Sequence, residues 1–226
     1  MNTLHIIARM HSDFSTKFGI PRQSGLVSQL RSAIVFEPEY RNGDALRGLE
    51  DFSHLWLIWG FSENADVPWS PTVRPPRLGG NARMGVWATR SPYRPNALGL
   101  SAVAIDEISQ HPSLGPVIHV LGGDLMDGTP IYDIKPYLPF SDCLPEARGG
   151  FATTAPQGFL TVEAPENLLM LLPESKREPL CQVLALDPRP AYQDDPSRVY
   201  GMEFSGFDVR FRVTGSTLTV VAVEKK

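Results

Sequence analysis

Cysteine is scarce: the 226 residues include two, Cys143 and Cys181, in no CxxC or Cys/His pattern. Zinc ribbons, thioredoxin-like dithiol chemistry and a disulfide scaffold are thereby excluded, and a reducing, cytoplasmic compartment is the expectation. Long apolar runs are also missing. None approaches the roughly 20 residues that a membrane helix needs, so no membrane partner is expected. The segment from Met1 to Arg9 lacks the charged-then-apolar order of a signal peptide. No strand–GxGxxG–helix unit, GxxxxGKS/T loop, HExxH or GxSxG occurs. Their absence removes doubly wound dinucleotide sites, phosphate loops, zincins and serine hydrolases of the elbow type. The five histidines are scattered without ligand spacing, so each reads as structural or superficial and no metal is expected.

Acidic residues are absent from two stretches. The chain holds 21 Lys and Arg against 25 Asp and Glu, a formal charge of −4, and that average argues against a nucleic-acid partner. Position reverses the argument. Between Asp13 and Glu37 stand Lys17, Arg22 and Arg31 with no acid, and between Asp66 and Asp106 stand Arg74, Arg77, Arg83, Arg90 and Arg94 with no acid. The remainder carries 13 cations against 25 acids, so two basic windows sit in an acidic scaffold.

A hydrophobic fraction of 42% suffices to close a core and excludes a wholly disordered chain. Short strand candidates separated by Pro- and Gly-rich turns fill the first two-thirds: Leu4–Arg9, Ala33–Phe36, His54–Phe61, Gly85–Thr89, Leu100–Ile108, Val117–Leu121 and Ile131–Lys135. One short helix is expected at Ala45–Leu49 behind Asp44 as cap. Residues 62–84 read as a long loop, the kind that usually serves a function. Near residue 145 the composition shifts to Ala, Gly, Thr and Pro. Beyond that linker stand a strand at Phe159–Val162, helices at Glu166–Leu172 and Lys176–Leu186, and strands at Val199–Phe204, Phe207–Val213 and Thr217–Val223. The expectation is a mainly β protein: an N-terminal β-barrel with few short helices over residues 1–145, and a small C-terminal α+β domain over 155–226.

Three segments carry chemistry. In Gly85–Ser101, Pro92 and Pro95 stiffen a stretch bearing Arg90, Tyr93, Arg94 and Asn96; stiffening lowers the entropy lost when long side chains engage an anion. Arginine's planar fork suits carboxylate or phosphate, and Tyr93 offers a stacking face. In Phe18–Gly25, two glycines allow close backbone approach while Arg22 and Gln23 supply donors; an ordinary loop explains it equally well. In Leu121–Tyr137, Asp127-Gly128-Thr129-Pro130 is a turn by composition, and the carboxylates of this segment are able to face a cation or act as a base.

Taken together, these segments resemble the TsaA-like family of tRNA methyltransferases, also called TrmO. The likeness is carried by Pro21-Arg22-Gln23, Asp51–Trp56, Pro71–Asn81, Ala88–Ser91 with Arg94-Pro95-Asn96, and Asp127–Pro130 with Asp133–Tyr137. Asp187–Tyr192 and Val199–Met202 resemble the family's second domain, so nearly the whole chain is covered. The resemblance implies a homodimeric β-barrel enzyme that uses S-adenosyl-L-methionine. Its substrate would be tRNA carrying N6-threonylcarbamoyladenosine just 3′ of the anticodon, and its product the N6-methyl derivative. The cofactor contacts it implies are Pro21, Arg22 and Gln23, then Arg90 and Leu100, then Asp127, Gly128, Thr129 and Pro130. One departure stands out: where the family commonly has Phe-His-Gln, this chain has Phe61-Ser62-Glu63, so the resemblance puts Ser62 and Glu63 at the expected cofactor contact with an imidazole lost and a carboxylate gained.

Transfer from a sulfonium needs alignment and a destination for the N6 proton, for which Asp127 or Tyr132 is the expected acceptor. Arg74, Arg77, Arg83 and Arg94 are expected on RNA, with Arg90 and Arg94 also candidates for a carboxylate. Two other readings use the same residues: a non-catalytic RNA-binding barrel, and a regulator that senses S-adenosylmethionine.

Overall fold

Apolar and polar residues alternating at period two build the first two-thirds of the chain. The computed structural model describes residues 4–64, 66–154, 159–189 and 195–226. In it, strands β1 (Ala8–His11), β2 (Arg31–Phe36) and β3 (His54–Gly60) bury every second side chain. These are Ala8 and Met10, then Ser32, Ile34 and Phe36, then Leu55, Leu57 and Trp59. Successive side chains point to opposite faces of a strand, so one face fills a core and the other meets solvent. Two-residue strands β4 (Thr72–Val73) and β5 (Met84–Gly85) pair only with each other. Strands β6 (Leu98–His111), β7 (Gly115–Leu121) and β8 (Pro130–Pro136) complete the set. Six strands close into a ring in the order β1-β2-β7-β6-β3-β8, every pairing antiparallel. Closure leaves the ring no free edge to pair with another chain. Met10, Ile34, Leu55, Leu57, Val103, Ile118 and Ile131 pack its interior.

After the ring comes α1 (Pro139–Asp142), whose Asp142 carboxylate accepts from Trp56 Nε1 at 2.8 Å. The remaining elements are β9 (Thr161–Glu163), α2 (Glu166–Leu169), α3 (Glu174–Ala185), β10 (Tyr200–Phe204), β11 (Phe207–Thr214) and β12 (Thr217–Lys225). The last four strands form one sheet, β10-β11-β12-β9, with β9 parallel to β12. Helix α3 buries Leu180, Val183 and Leu184 in the same core as Phe204, Val209, Phe211, Leu218 and Val220.

That second core also takes Phe14, Val27 and Leu30 from the connection between β1 and β2. Phe14 meets Phe204 edge-on with ring centroids 5.6 Å apart. Asp13, its side chain 8% exposed, pairs with Lys176 of α3 at 2.7 Å. The segment bearing Pro21-Arg22-Gln23 is therefore anchored on both flanks by the C-terminal unit, which makes the tail part of the site's scaffold.

Four expectations are corrected. Gly85–Thr89 is not a strand: Val86–Ala88 is a 3-10 turn, fixed because Val86 N–H donates to Pro71 O and Thr89 N–H returns to Val86 O. The helix at Ala45–Leu49 is a 3-10 turn at Gly43–Leu46, and its cap is Asn42, whose side chain accepts from Asp44 N–H at 3.0 Å. The first strand starts at Ala8 instead of Leu4, and α2 ends at Leu169 where the chain turns towards Pro173. Linker residues 155–158, and Pro190, Ala191, Tyr192 and Asp194 of the tail, lie outside the described residues.

Candidate active site

A cavity of about 540 Å³ opens at one end of the ring, within the size range of small-molecule sites. Its floor is set by strand register. In the β3/β6 ladder Trp59 pairs with Gly99, and Leu57 with Ser101. A Cβ on Gly99 would lie 2.3 Å from Trp59 Cε2, so only glycine lets the indole lie over that strand. There Trp59 Nε1 donates to Ser101 Oγ at 3.0 Å, and Ser101 Oγ donates to Asp124 Oδ1 at 2.6 Å. Trp59 and Ser101 are buried, at 8% and 2% exposure. Each donor thus has one acceptor, and the relay ends on a carboxylate that faces the cavity.

Burial pushes the Asp124 carboxyl above the usual carboxylate range. The Ser101 hydroxyl, backbone N–H groups and the charge of Arg90 pull the other way without cancelling that desolvation. The loop holding Asp124 is fixed by Gly122, whose φ is +76° and whose carbonyl accepts from Gly25 N–H at 2.9 Å. That bond ties the Asp124 loop to the Pro21-Arg22-Gln23 loop.

Across from this floor, Arg90 Nη1 donates to Gln23 Oε1 at 2.5 Å, so the two sequence motifs meet in one wall. Ser62, Glu63 and Asn64 form another edge, on a 3-10 turn directly after β3. Of the residues expected at the cofactor, Pro21, Arg22, Gln23, Ser62, Glu63, Arg90, Leu100 and Thr129 line the cavity together. Asp127, Gly128 and Pro130 do not. The Asp127 carboxylate instead accepts from Ser12 N–H at 3.1 Å and lies 3.5 Å from His11 Nδ1, while the Gly128 carbonyl accepts from Arg9. Tyr132 is likewise absent from the lining; a Cβ on Gly60 would lie 2.6 Å from its hydroxyl, so it backs the wall at Gly60. Trp59 and Met126 are lining residues outside every sequence-based set of site residues, while Lys17 comes from the first basic window and Asp124 is one of the carboxylates of Leu121–Tyr137, neither with a role assigned from sequence. A period-two pattern marks Trp59 as buried, but only the pairing register brings it over Gly99 and beside Asp124.

The arginines divide. Arg94 is half-buried, and its Nη1 donates to the carbonyls of Val86 and Thr89 at 3.0 and 2.7 Å, which holds the loop carrying Arg90. Arg77 bonds Thr154, and Arg83 bonds Thr72 Oγ1 at 3.2 Å. Arg74 is exposed and has no protein partner among the described residues. Arg74→Ala is therefore expected to weaken polyanion binding and reduce the magnitude of its log-log salt slope by about 1. Its affinity for a small ligand of the cavity should be unchanged. Arg94→Ala should lower both affinities, because it releases the Arg90 loop; calorimetric titrations at several salt concentrations separate the two.

The model of the tRNA-methyltransferase O N-terminal domain matches residues 9–143, and that of the TrmO C-terminal domain matches residues 163–226. The chain belongs to the TrmO family. Among its relatives is the Escherichia coli (strain K12) protein named tRNA (adenine(37)-N6)-methyltransferase, 44% identical over 97% of each chain. The Eikenella corrodens protein of the same name is 46% identical over 76% of this chain and 97% of its own. A Pseudomonas aeruginosa relative, 39% identical over 91% of this chain and 90% of its own, has the words S-adenosylmethionine-dependent methyltransferase in its name. The solved TrmO structure from Pseudomonas aeruginosa superposes with a TM-score of 0.81 at 32% identity, covering 99% of this chain and 98% of that one. Of the family motifs quoted above, Pro-Arg-Gln and Ala-Thr-Arg-Ser contribute directly to the cavity wall, whereas Asp-Gly-Thr-Pro contributes Thr129 alone. The TrmO family's second domain is the unit whose core anchors the Pro-Arg-Gln loop.

Proposed function

We propose that this chain is an S-adenosylmethionine-dependent methyltransferase that methylates N6 of adenine 37 in tRNA. The carrying observation is one cavity presenting both charge signs, Arg22 and Arg90 on its walls and Asp124 and Glu63 on its floor and edge, among apolar Trp59, Phe61, Leu98 and Leu125. That mixture suits the cofactor, which combines a carboxylate, an ammonium, a sulfonium and an aromatic base. Arg22, Gln23 and Arg90 would hold its anionic group, Asp124 and Glu63 its cationic side, and Pro21, Ser62, Leu100 and Thr129 its remaining surface. Asp127, Gly128 and Pro130 keep Thr129 in place. When bound, S-adenosylmethionine supplies an electrophilic methyl group.

This chain's own residues orient the nucleophile and receive its proton. With the cofactor bound, Asp124 would accept the N6 proton on a carboxylate oxygen as N6 takes the methyl group and the cofactor's methyl–sulfur bond breaks to leave a neutral thioether, and would then release that proton to solvent. Ser101 holds that carboxylate at a fixed angle. Asp127 and Tyr132, expected as acceptors, serve here as positioning residues at the turn after Met126 and behind Gly60. The proposal includes a threonylcarbamoyl group on the adenine, whose carboxylate the basic wall would take, and a barrel-type catalytic domain at 1–145 with a second domain at 155–226. It also includes a homodimer and a cytoplasmic setting. Phe140 and Leu144, 87% and 70% exposed, give a second copy an apolar patch to cover. Among the described residues no helix is long and apolar enough to cross a membrane.

The test is transfer of labelled methyl from S-adenosylmethionine to tRNA with and without threonylcarbamoyl. Label on the modified tRNA alone is expected. Cofactor binding without any transfer would favour a sensing regulator, and tRNA binding without saturable cofactor binding a non-catalytic RNA binder.

A further inference from the structure

Beside the cavity the chain exposes two tryptophans that no packing requirement explains. Trp69 is 51% and Trp87 66% exposed, although large aromatics usually bury most of their surface. Their rings lie within 19° of parallel with centroids 6.5 Å apart. They are brought together from two loops. Val86 N–H donates to Pro71 O at 3.0 Å next to the β4/β5 ladder, and Ser70 N–H donates to Tyr93 O at 3.2 Å. Tyr93 is itself 42% exposed.

The pair is continuous with the active site through one side chain. Arg94 lines the cavity, and its guanidinium carbon sits 5.0 Å from the Trp87 ring centroid. The whole stretch from Val67 to Ile105 contains five arginines and no acidic residue. Two exposed, near-parallel aromatic rings with a guanidinium over one of them, on a stretch of chain that carries arginines and no acid, suit a ligand that is planar and polyanionic at once: an unpaired nucleotide run. An apolar protein partner would have no use for the charge, and a duplex would offer no open base face.

We propose that Trp69 and Trp87 form a stacking platform for an unpaired nucleotide next to the base held in the cavity. Arg94 spans the two, and the nearby arginines meet the phosphates. This rests on the tRNA reading above and adds the means by which one loop nucleotide is set apart from its neighbours. The reacting base leaves the loop's own stack, and the platform replaces the lost stacking partner of the nucleotide beside it.

The experiment uses the full chain and its substrate tRNA. In wild-type protein, tRNA titration should quench tryptophan fluorescence; in the Trp69→Phe/Trp87→Phe variant most of that quench should vanish while tRNA affinity stays within about threefold, because phenylalanine still stacks. Trp69→Ala/Trp87→Ala should weaken tRNA binding at least about tenfold and raise KM for tRNA. Its S-adenosylmethionine affinity and molar mass by light scattering should match wild type. Unaltered tRNA affinity in the alanine variant, or an unaltered quench in the phenylalanine variant, overturns the platform. Dissociation of an oligomer in the alanine variant also overturns it, since the face would then be an interface between copies. Wild-type protein that methylates no tRNA overturns the functional reading itself, an outcome distinct from active wild-type protein with an unaffected alanine variant.

Discussion

Asp124→Asn is expected to reduce methyl transfer by about two to four orders of magnitude, the usual worth of a positioned proton acceptor, while making the folded protein more stable at neutral pH. The two effects have one cause. Asp124 stands at the cavity floor with its carboxyl pushed above the ordinary range by desolvation. A carboxyl whose folded-state pKa is raised binds its proton more tightly folded than unfolded. Its favourable contribution is therefore fully present below the unfolded pKa and is lost as pH rises through the folded one. At neutral pH, above the unfolded-state pKa, a carboxyl with a raised folded-state pKa is a net cost to folding. Asparagine keeps an oxygen to accept the Ser101 hydroxyl bond and removes the buried charge, so the variant's thermal midpoint should exceed wild type at pH 7 and converge with it at acid pH. Melting curves from pH 3 to 8, beside single-turnover methylation, check both. A variant with full turnover would remove Asp124 from the reaction, and one less stable at every pH would mean that the charge is better compensated than the geometry indicates.

Gly99→Ala should act on the same machinery without touching a charge. The added Cβ would lie 2.3 to 2.7 Å from three carbons of the Trp59 indole, closer than carbon atoms approach. Trp59 is packed against Phe61 at 4.4 Å between ring centroids and is bonded to Ser101, so it has no free rotamer to yield into. Either β6 moves away from β3 or the indole leaves Ser101. Overpacking of this kind costs about 1–3 kcal/mol, and leaving the indole N–H unpaired costs about 1–3 kcal/mol more. The measured signature should be a lower urea midpoint with unchanged slope, together with a loss of S-adenosylmethionine affinity of about tenfold or greater. Trp59→Phe in the Gly99→Ala background should recover part of the stability, since the smaller ring clears the methyl group, but not the Ser101 bond.

Asp124 and Gly99 mark where sequence reasoning stops. Leu121–Tyr137 contains three carboxylates, and composition ranks them equally; only Asp127 is distinguished, because it begins the Asp-Gly-Thr-Pro turn. In space Asp127 caps the backbone of Ser12 outside the cavity lining, and the carboxylate within it is three residues earlier. Gly99 sits in an apolar strand where nothing local marks it. Its role follows from facing Trp59, 40 positions away, and that pairing is set by the ring's hydrogen-bond register. The segment after Gly85 failed as a strand for a related reason: its backbone bonds run to Pro71 and back on themselves, and a local apolar pattern carries no information on long-range partners.

What the sequence determined by itself rests on local rules. Period-two alternation placed five of the six ring strands to within three residues at each end, scarcity of cysteine removed disulfide and zinc scaffolds, and acid-free windows marked Arg22 and Arg90 as parts of a basic site. Ordered motifs pointed to the family. Tertiary structure decided which of those charges converge. It joined Arg90 to Gln23, fixed Arg94 as a loop clamp, placed Asp124 at the floor, and put the Pro-Arg-Gln loop in the grip of a C-terminal unit more than 150 residues away. The division is physical. Burial periodicity and turn chemistry act over a few residues and are written along the chain, whereas desolvation, register and cavity shape arise only where distant segments exclude water from one another.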